Sequence, residues 1–333
     1  MDSVSQMVLG ASLAHLCLGK HLGKRAILLG AALGTLPDLD VVIPYADAID
    51  SFTYHRSWSH SLLVLSFASF PISWMLKQVI QNRSAGFWQW WLCVWLVLVT
   101  HPLLDALTVY GTQIWWPLDR QPSAWGSVFI IDPAYTLPLI VALIIAWRRG
   151  FARSRRIVLL SLIASTLYLG WTLVAQHMVR QTLESTLASQ GIQANTTVVA
   201  PFPLSLLWRT LAISDEYYYE GYRSLFDRQS VITLEQYDNG KSTHATWLDH
   251  PPIKRLAWFT DGAFALSNRD DTLIASDLRM GIEGSYVFEF LIADTGEPVL
   301  TRLLPVNMDT QRLPLLFQRV LDESIDLRPH QMR

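Results

Sequence analysis

Residues 87–107 read FWQWWLCVWLVLVTHPLLDAL. A membrane span takes about 20 mostly apolar residues, and this stretch has the length and composition of one. Its tryptophans, Trp88, Trp90, Trp91 and Trp95, belong to the ring type that anchors helices at a bilayer interface. Its far end carries His101 and Asp105. Residues four apart share a helix face, and ionisable groups at membrane depth are costly enough to mark function. The stretch therefore predicts both a membrane helix and a polar site on one of its faces.

The composition extends this reading to the chain. Of 333 residues, 51% are hydrophobic, 16% are charged and 14 are Trp. The mean hydropathy is +0.24. Soluble domains carry about 25% charged residues. A net charge of -2 gives no basic footprint for nucleic acid. Cys17 and Cys93 both lie in apolar runs and read as buried free thiols. The first residues lack the basic flank and cleavage site of a signal peptide, so they read as a retained helix.

Six apolar segments fill the first half, at 3–19, 26–44, 58–76, 87–108, 132–147 and 157–177. Lys20, Lys24, Arg25, Lys77, Arg83 and the arginines of WRRGFARSRR (147–156) fall in alternate loops; the other loops hold only Arg56 and Arg120. The positive-inside rule then puts the basic loops in the cytoplasm and both termini outside. Residues 195–333 are more polar, with strand-like runs such as SVITLEQY and SYVFEFLIAD, turn signals DNGK and DTGE, and a helix opening at Pro251. The fold predicted is a membrane α-helical bundle of about six helices (1–180), followed by a small soluble α+β domain that is periplasmic or extracellular (195–333).

The His and Asp residues of the first half fall in clusters: His15; Asp38 and Asp40 in LPDLD; His55 and His60 in HRSWSHS; His101 and Asp105. With the charge-derived topology the last three clusters reach one membrane face. Asp38 and Asp40 would point about 200° apart on a continuous helix, so Pro37 predicts a break there. His55 falls in a loop, with Ser57 or Ser59 capping the next helix. Imidazole with carboxylate, and no thiol, suits a divalent metal: Zn first, Mn or Fe otherwise, as one or two ions. The candidate ligands are His15, Asp38, Asp40, His55, His60, His101 and Asp105. Such a site activates water and clamps phosphoester oxygens. Arg56 would orient an anionic oxygen, and Asp40 would either ligate or hold a ligand histidine.

Each residue has a plainer role open to it. His15 is equally a hydrogen-bonded structural group, and topology sets it nearer the cytoplasmic end. Arg56 can pair with Asp47 or Asp50. Asp119, Asp132 and His177 read as boundary residues, and His244, His250 and His330 as surface residues.

In this order, His15, LPDLD, HRSWSHS and HPLLDALTVYGTQIWWPL resemble the bacterial YdjM-like family of inner-membrane proteins. The shared pattern covers Pro37, Asp38 and Asp40; His55, Arg56, Ser59, His60 and Ser61; His101, Asp105, Thr108 and Gly111; then Trp116 and Pro117. The likeness spans about residues 1–178. It implies a multi-pass protein of the bacterial inner membrane and a metal-dependent hydrolase.

Three functions compete. The first is a hydrolase acting on a phosphoester of a lipid or lipid-linked substrate at the outer face of the membrane. The second is a non-enzymatic, metal-stabilised anchor presenting the C-terminal domain to a protein partner of unknown kind. The third is a transporter, disfavoured because the clusters sit at one end rather than at the midplane.

Overall fold

The computed structural model describes residues 1–81, 84–306 and 311–327. Arg83 and His330 lie outside the described residues. The helices are α1 (Ser3–Leu22), α2 (Lys24–Thr35), α3 (Ala48–Tyr54), α4 (Leu62–Ile80), α5 (Phe87–Ala106), α6 (Pro133–Arg149), α7 (Phe151–Gln190), α8 (Pro251–Thr260) and α9 (Leu313–Arg319). A helix stands over each of the six apolar segments. Among the described residues three are long and apolar enough to cross a membrane: α4, α5 and α7. α2 has 12 residues, roughly 18 Å at 1.5 Å per residue, against a hydrocarbon core of about 30 Å. Pro37 ends the helical run, and Pro37–Val42 is a 3₁₀ turn.

The chain forms two compact units. The first contains Met1–Ile43 and His55–Thr172; the second contains Pro44–Tyr54 and Leu173–Arg333.

In the first unit α1 packs on α2, α5 and α6. Its core gathers Leu9, Leu13, Leu98 and Leu139. The α1–α2 contact is set by glycines. A methyl on Gly30 would collide with the Gly10 carbonyl oxygen, and one on Gly34 would lie 2.5 Å from the Gln6 carbonyl oxygen. Gly30 and Gly34 form the small-xxx-small pattern that lets helix backbones approach. α4 and α5 are tied by indole donors: Trp91 Nε1 to Ser69 Oγ and Trp95 Nε1 to Ser66 Oγ, both 3.0 Å. Two members of the Trp cluster thus bridge helices. α4 is capped by Ser61, whose Oγ accepts from Val64 N. The expected caps, Ser57 and Ser59, precede it, because His60 closes a separate 3₁₀ turn, Trp58–His60.

The second unit is rich in sheet. Strands β1 (Thr196–Pro201), β2 (Leu207–Ile213), β3 (Tyr217–Ser224) and β4 (Leu234–Asp238) form one antiparallel sheet in sequence order. Of β5 (Phe264–Arg269), β6 (Thr272–Asp277), β7 (Gly281–Ile282), β8 (Ser285–Tyr286), β9 (Glu289–Asp294) and β10 (Glu297–Leu303), four make a sheet ordered β10-β9-β6-β5, and β7 pairs β8. Buried Arg209 pairs with Glu220 at 2.6 Å and donates to the Leu278 carbonyl, also at 2.6 Å.

The polar run after residue 180 stays helical to Gln190 because Ala175, Val179, Leu183 and Leu187 recur every four residues. That stripe is buried with Val199, Trp208 and Ala212. α3 is an integral part of this unit. Phe52 meets Phe259, Phe288 and Phe290 with ring centroids 4.9, 4.6 and 5.3 Å apart. Arg255 Nε is 3.0 Å from Asp50 Oδ1, and its guanidinium lies 3.8 Å from the Tyr54 ring centroid.

Gly30→Ala is expected to destabilise the protein by about 1–3 kcal/mol through overpacking. Gly170→Ala, where a methyl meets nothing within 4 Å, should be neutral or stabilising. Thermal unfolding of the purified protein in detergent separates the two. Phe52→Ala is expected to cost the second unit about 3–5 kcal/mol, read as an earlier loss of sheet signal in circular dichroism on heating.

Candidate metal centre

Four side chains from three segments converge. The 3₁₀ turn after Pro37 presents Asp38, the turn before α4 presents His60, and the last turns of α5 present His101 and Asp105. One ligand atom from each lies within 4.8 Å of the others. Asp38 Oδ1 is 3.3 Å from both His60 Nε2 and His101 Nε2. The two Nε2 atoms are 3.1 Å apart. Asp105 Oδ2 is 3.3 Å from His60 Nε2 and 3.5 Å from His101 Nε2. A tetrahedral ion with bonds of 2.0–2.1 Å places its ligands about 3.3–3.4 Å apart. Five of the six edges therefore match that geometry.

The hydrogen bonds around the group orient it. His101 Nδ1 donates to the Gly34 carbonyl at 2.7 Å, which leaves Nε2 a lone pair pointing inward. His60 Nδ1 is 3.0 Å from Ser59 Oγ. Ser59 Oγ in turn donates to Asp40 Oδ2 at 2.5 Å. With the serine proton committed to Asp40, Ser59 accepts from His60 Nδ1, and His60 Nε2 also faces inward as a lone pair. Outer partners of this kind fix ligand tautomers in metal sites. Asp105 Oδ2 is buried and has no hydrogen-bond partner among the described residues. Two imidazole lone pairs and a carboxylate oxygen whose only facing cation among the described residues is the Arg56 guanidinium, Nε at 3.4 Å, crowd together in a buried site. A divalent cation removes that conflict, so the donor set fits a metal ion.

The other candidates fall outside this group. Asp40 is the holder: besides Ser59 it takes the Arg56 backbone N–H at 3.1 Å and pairs with His55 Nδ1 at 2.7 Å. His55 stands edge-on to His60, ring centroids 5.8 Å apart. His15 is buried elsewhere, with Nε2 3.0 Å from Ser154 Oγ and its ring against Phe151. It stands nine residues beyond Gln6 on α1, roughly 13 Å along the axis.

Arg56 has φ +62°, a left-handed conformation that a non-glycine residue adopts at a cost. Its guanidinium lies 4.8 Å from the Tyr110 ring centroid, and its Nε is 3.4 Å from Asp105 Oδ2. Nε and Nη1 have no hydrogen-bond partner among the described residues.

Gln6 was not singled out from the sequence. Its Nε2 donates to Asp105 Oδ1 at 2.9 Å and to the His101 carbonyl; the Met1 amine also meets Asp105 Oδ1. The available signal was an amide on an apolar helix.

The WWPL segment clasps the histidine turn. Gln113 N donates to the Arg56 carbonyl, Leu62 N to the Ile114 carbonyl, and Ser61 Oγ to the Trp116 carbonyl. Gly111, with φ +112°, makes the reversal that a side chain would resist.

Fold and site together define a helical membrane protein with a buried His/Asp metal-type cluster and a sheet-rich C-terminal domain. Residues 1–179 match the family model described as YdjM inner membrane protein, and the chain belongs to that family. YfhP, an uncharacterized protein of Bacillus subtilis (strain 168), is 24% identical over 228 residues, covering 66% of this chain and 68% of that protein. So long a match must reach past residue 179 into the C-terminal half. The inner membrane protein YbcI of Escherichia coli (strain K12) is 32% identical over 109 residues, 30% of this chain and 60% of that protein's length. No solved structure matches.

Elemental analysis of purified protein should find one divalent ion per chain. His60→Ala and His101→Ala should each abolish it, and His15→Ala should leave it in place. Asp40→Asn should weaken binding roughly 10–100-fold, the usual effect of losing an outer partner.

Proposed function

We propose that this protein is a membrane-bound, metal-dependent hydrolase that cleaves a phosphoester, or a related bond, of a lipid or lipid-linked substrate. The observation that carries the reading is the convergence of Asp38, His60, His101 and Asp105 beside an arginine whose Nε and Nη1 lack hydrogen-bond partners among the described residues. The ion would be Zn or, in its place, Mn or Fe, held by those four side chains. When bound, it would supply Lewis-acid polarisation of a substrate oxygen and activation of water. Asp40 holds His60 through Ser59 and steadies the backbone of Arg56. Arg56 receives an anionic substrate oxygen through its Nη1 protons, a charge-assisted contact suited to phosphate. The charge bias of the loops supports an outward-facing site at the bacterial inner membrane, with residues 195–333 in the periplasm or outside the cell.

A second reading has an observation of its own. Four protein ligands in a closed site are the pattern of structural metals, and three of these four are buried. In that case the metal braces an anchor for the C-terminal domain.

The two diverge in one assay. Metal-loaded protein in phosphatidylcholine vesicles should hydrolyse vesicle lipid or the soluble diester bis(4-nitrophenyl) phosphate, and lose that activity on chelation. Arg56→Gln should keep its metal and lose about 10²–10³ in kcat, the scale of one removed transition-state donor. Metal that raises the unfolding temperature while neither substrate is cleaved would establish the anchor instead.

A further inference from the structure

The polar site is framed by apolar side chains that point outward. The turn carrying Asp38 and Asp40 also carries Leu39, Val41 and Val42, all exposed, the two valines at 72% and 75%. Trp58 is exposed two residues before His60. Trp115 and Leu118, the latter 80% exposed, belong to the segment that hydrogen-bonds along Arg56–Leu62. Large apolar groups gathered in this way mark an interaction surface rather than ordinary scatter.

Two observations name the partner. The first is continuity with candidate spans. Trp58 lies four residues before α4, and the segment of Trp115 and Leu118 follows the end of α5; both helices are long and apolar enough to cross a membrane. The framing groups therefore stand where span ends meet the interface, the level at which tryptophan collects. The second is charge. Residues 37–43, 57–60 and 113–118 contain no Lys or Arg, so attachment there is apolar and needs no anionic lipid, unlike a polybasic contact. The partly exposed members of the polar group are Asp38 and His55, with side chains 20% and 22% exposed. Asp38 shares its turn with the exposed valines.

We propose that Leu39, Val41, Val42, Trp58, Trp115 and Leu118 form a rim immersed in bilayer lipid, through which an amphiphile with an anionic headgroup reaches Arg56 and the metal cluster. Immersion stands on its own; the route for substrate rests on the hydrolase reading. A substrate entering this way keeps its tails among lipid while its headgroup passes Asp38. A water-soluble diester needs no rim.

The test uses the full chain in uncharged phosphatidylcholine vesicles, with Cys17 and Cys93 replaced by Ala. An environment-sensitive NBD fluorophore is attached at Val42→Cys or, for reference, at Glu297→Cys, the exposed first residue of β10 in the second unit. The label at 42 should emit as in an apolar medium and be quenched at least twofold more by acyl-chain spin labels than by aqueous iodide. The label at 297 should show the reverse. Iodide quenching equal to that at 297, or shielding from both quenchers by a protein or a second copy, would overturn immersion.

The substrate route is read with the double variant Val41→Asp/Val42→Asp, whose metal content should equal wild type. Hydrolysis of vesicle lipid should fall at least tenfold, with hydrolysis of bis(4-nitrophenyl) phosphate unchanged. Equal loss on both substrates would overturn the route. If wild type cleaves neither, the hydrolase reading and the route fail together, while the quenching result still decides immersion.

Discussion

The first unit is organised around a repulsion. Two imidazoles and two carboxylates meet within 4.8 Å, three of the four side chains buried. Buried charge is unfavourable unless it is paired; Arg56 and the Met1 amine face Asp105, the group could hold a metal ion, and all of it needs a rigid frame. Much of the local structure is that frame. Gly34 lets α2 approach α1 and also offers the carbonyl that fixes His101. Ser59 and Asp40 fix His60. Gln6 steadies Asp105 from α1. Gly111 turns the chain back so that the WWPL segment can brace the histidine turn.

Much of this is legible in the sequence. Apolar length placed helices, and the cost of ionisable groups in apolar runs pointed to His15 and to the Asp38/Asp40, His55/His60 and His101/Asp105 clusters. A period of four put His101 and Asp105 on one face, and Pro37 announced the break that frees Asp38. The division of labour among these residues was not readable. His15 and His60 look alike in sequence; what separates them is that Ser154 faces one and Asp38, His101 and Asp105 face the other. Asp40 sits two residues from Asp38, yet its oxygens are taken up by Ser59, His55 and a backbone N–H. Such contacts join residues far apart in the chain and leave no local trace.

Helix length was also hard to read. Hydropathy reports burial in lipid and burial in protein alike, so α2 resembles a span in composition although its 12 residues are fewer than a straight crossing takes. The end of α7 was obscured for the opposite reason. Its exposed side is polar, and a stripe of four apolar residues keeps it helical to Gln190.

The excursion of residues 44–54 into the second unit bears on how such proteins can be taken apart. The chain leaves the first unit between Asp40 and His55, contributes α3 to the aromatic cluster of the second, and returns. The C-terminal domain is therefore not a module appended at a junction. Cutting the gene near codon 190 would strip Phe52 and Asp50 of their partners within the second unit. Modularity here is topological rather than linear: a clean domain swap would have to exchange α3 together with the C-terminal sheets.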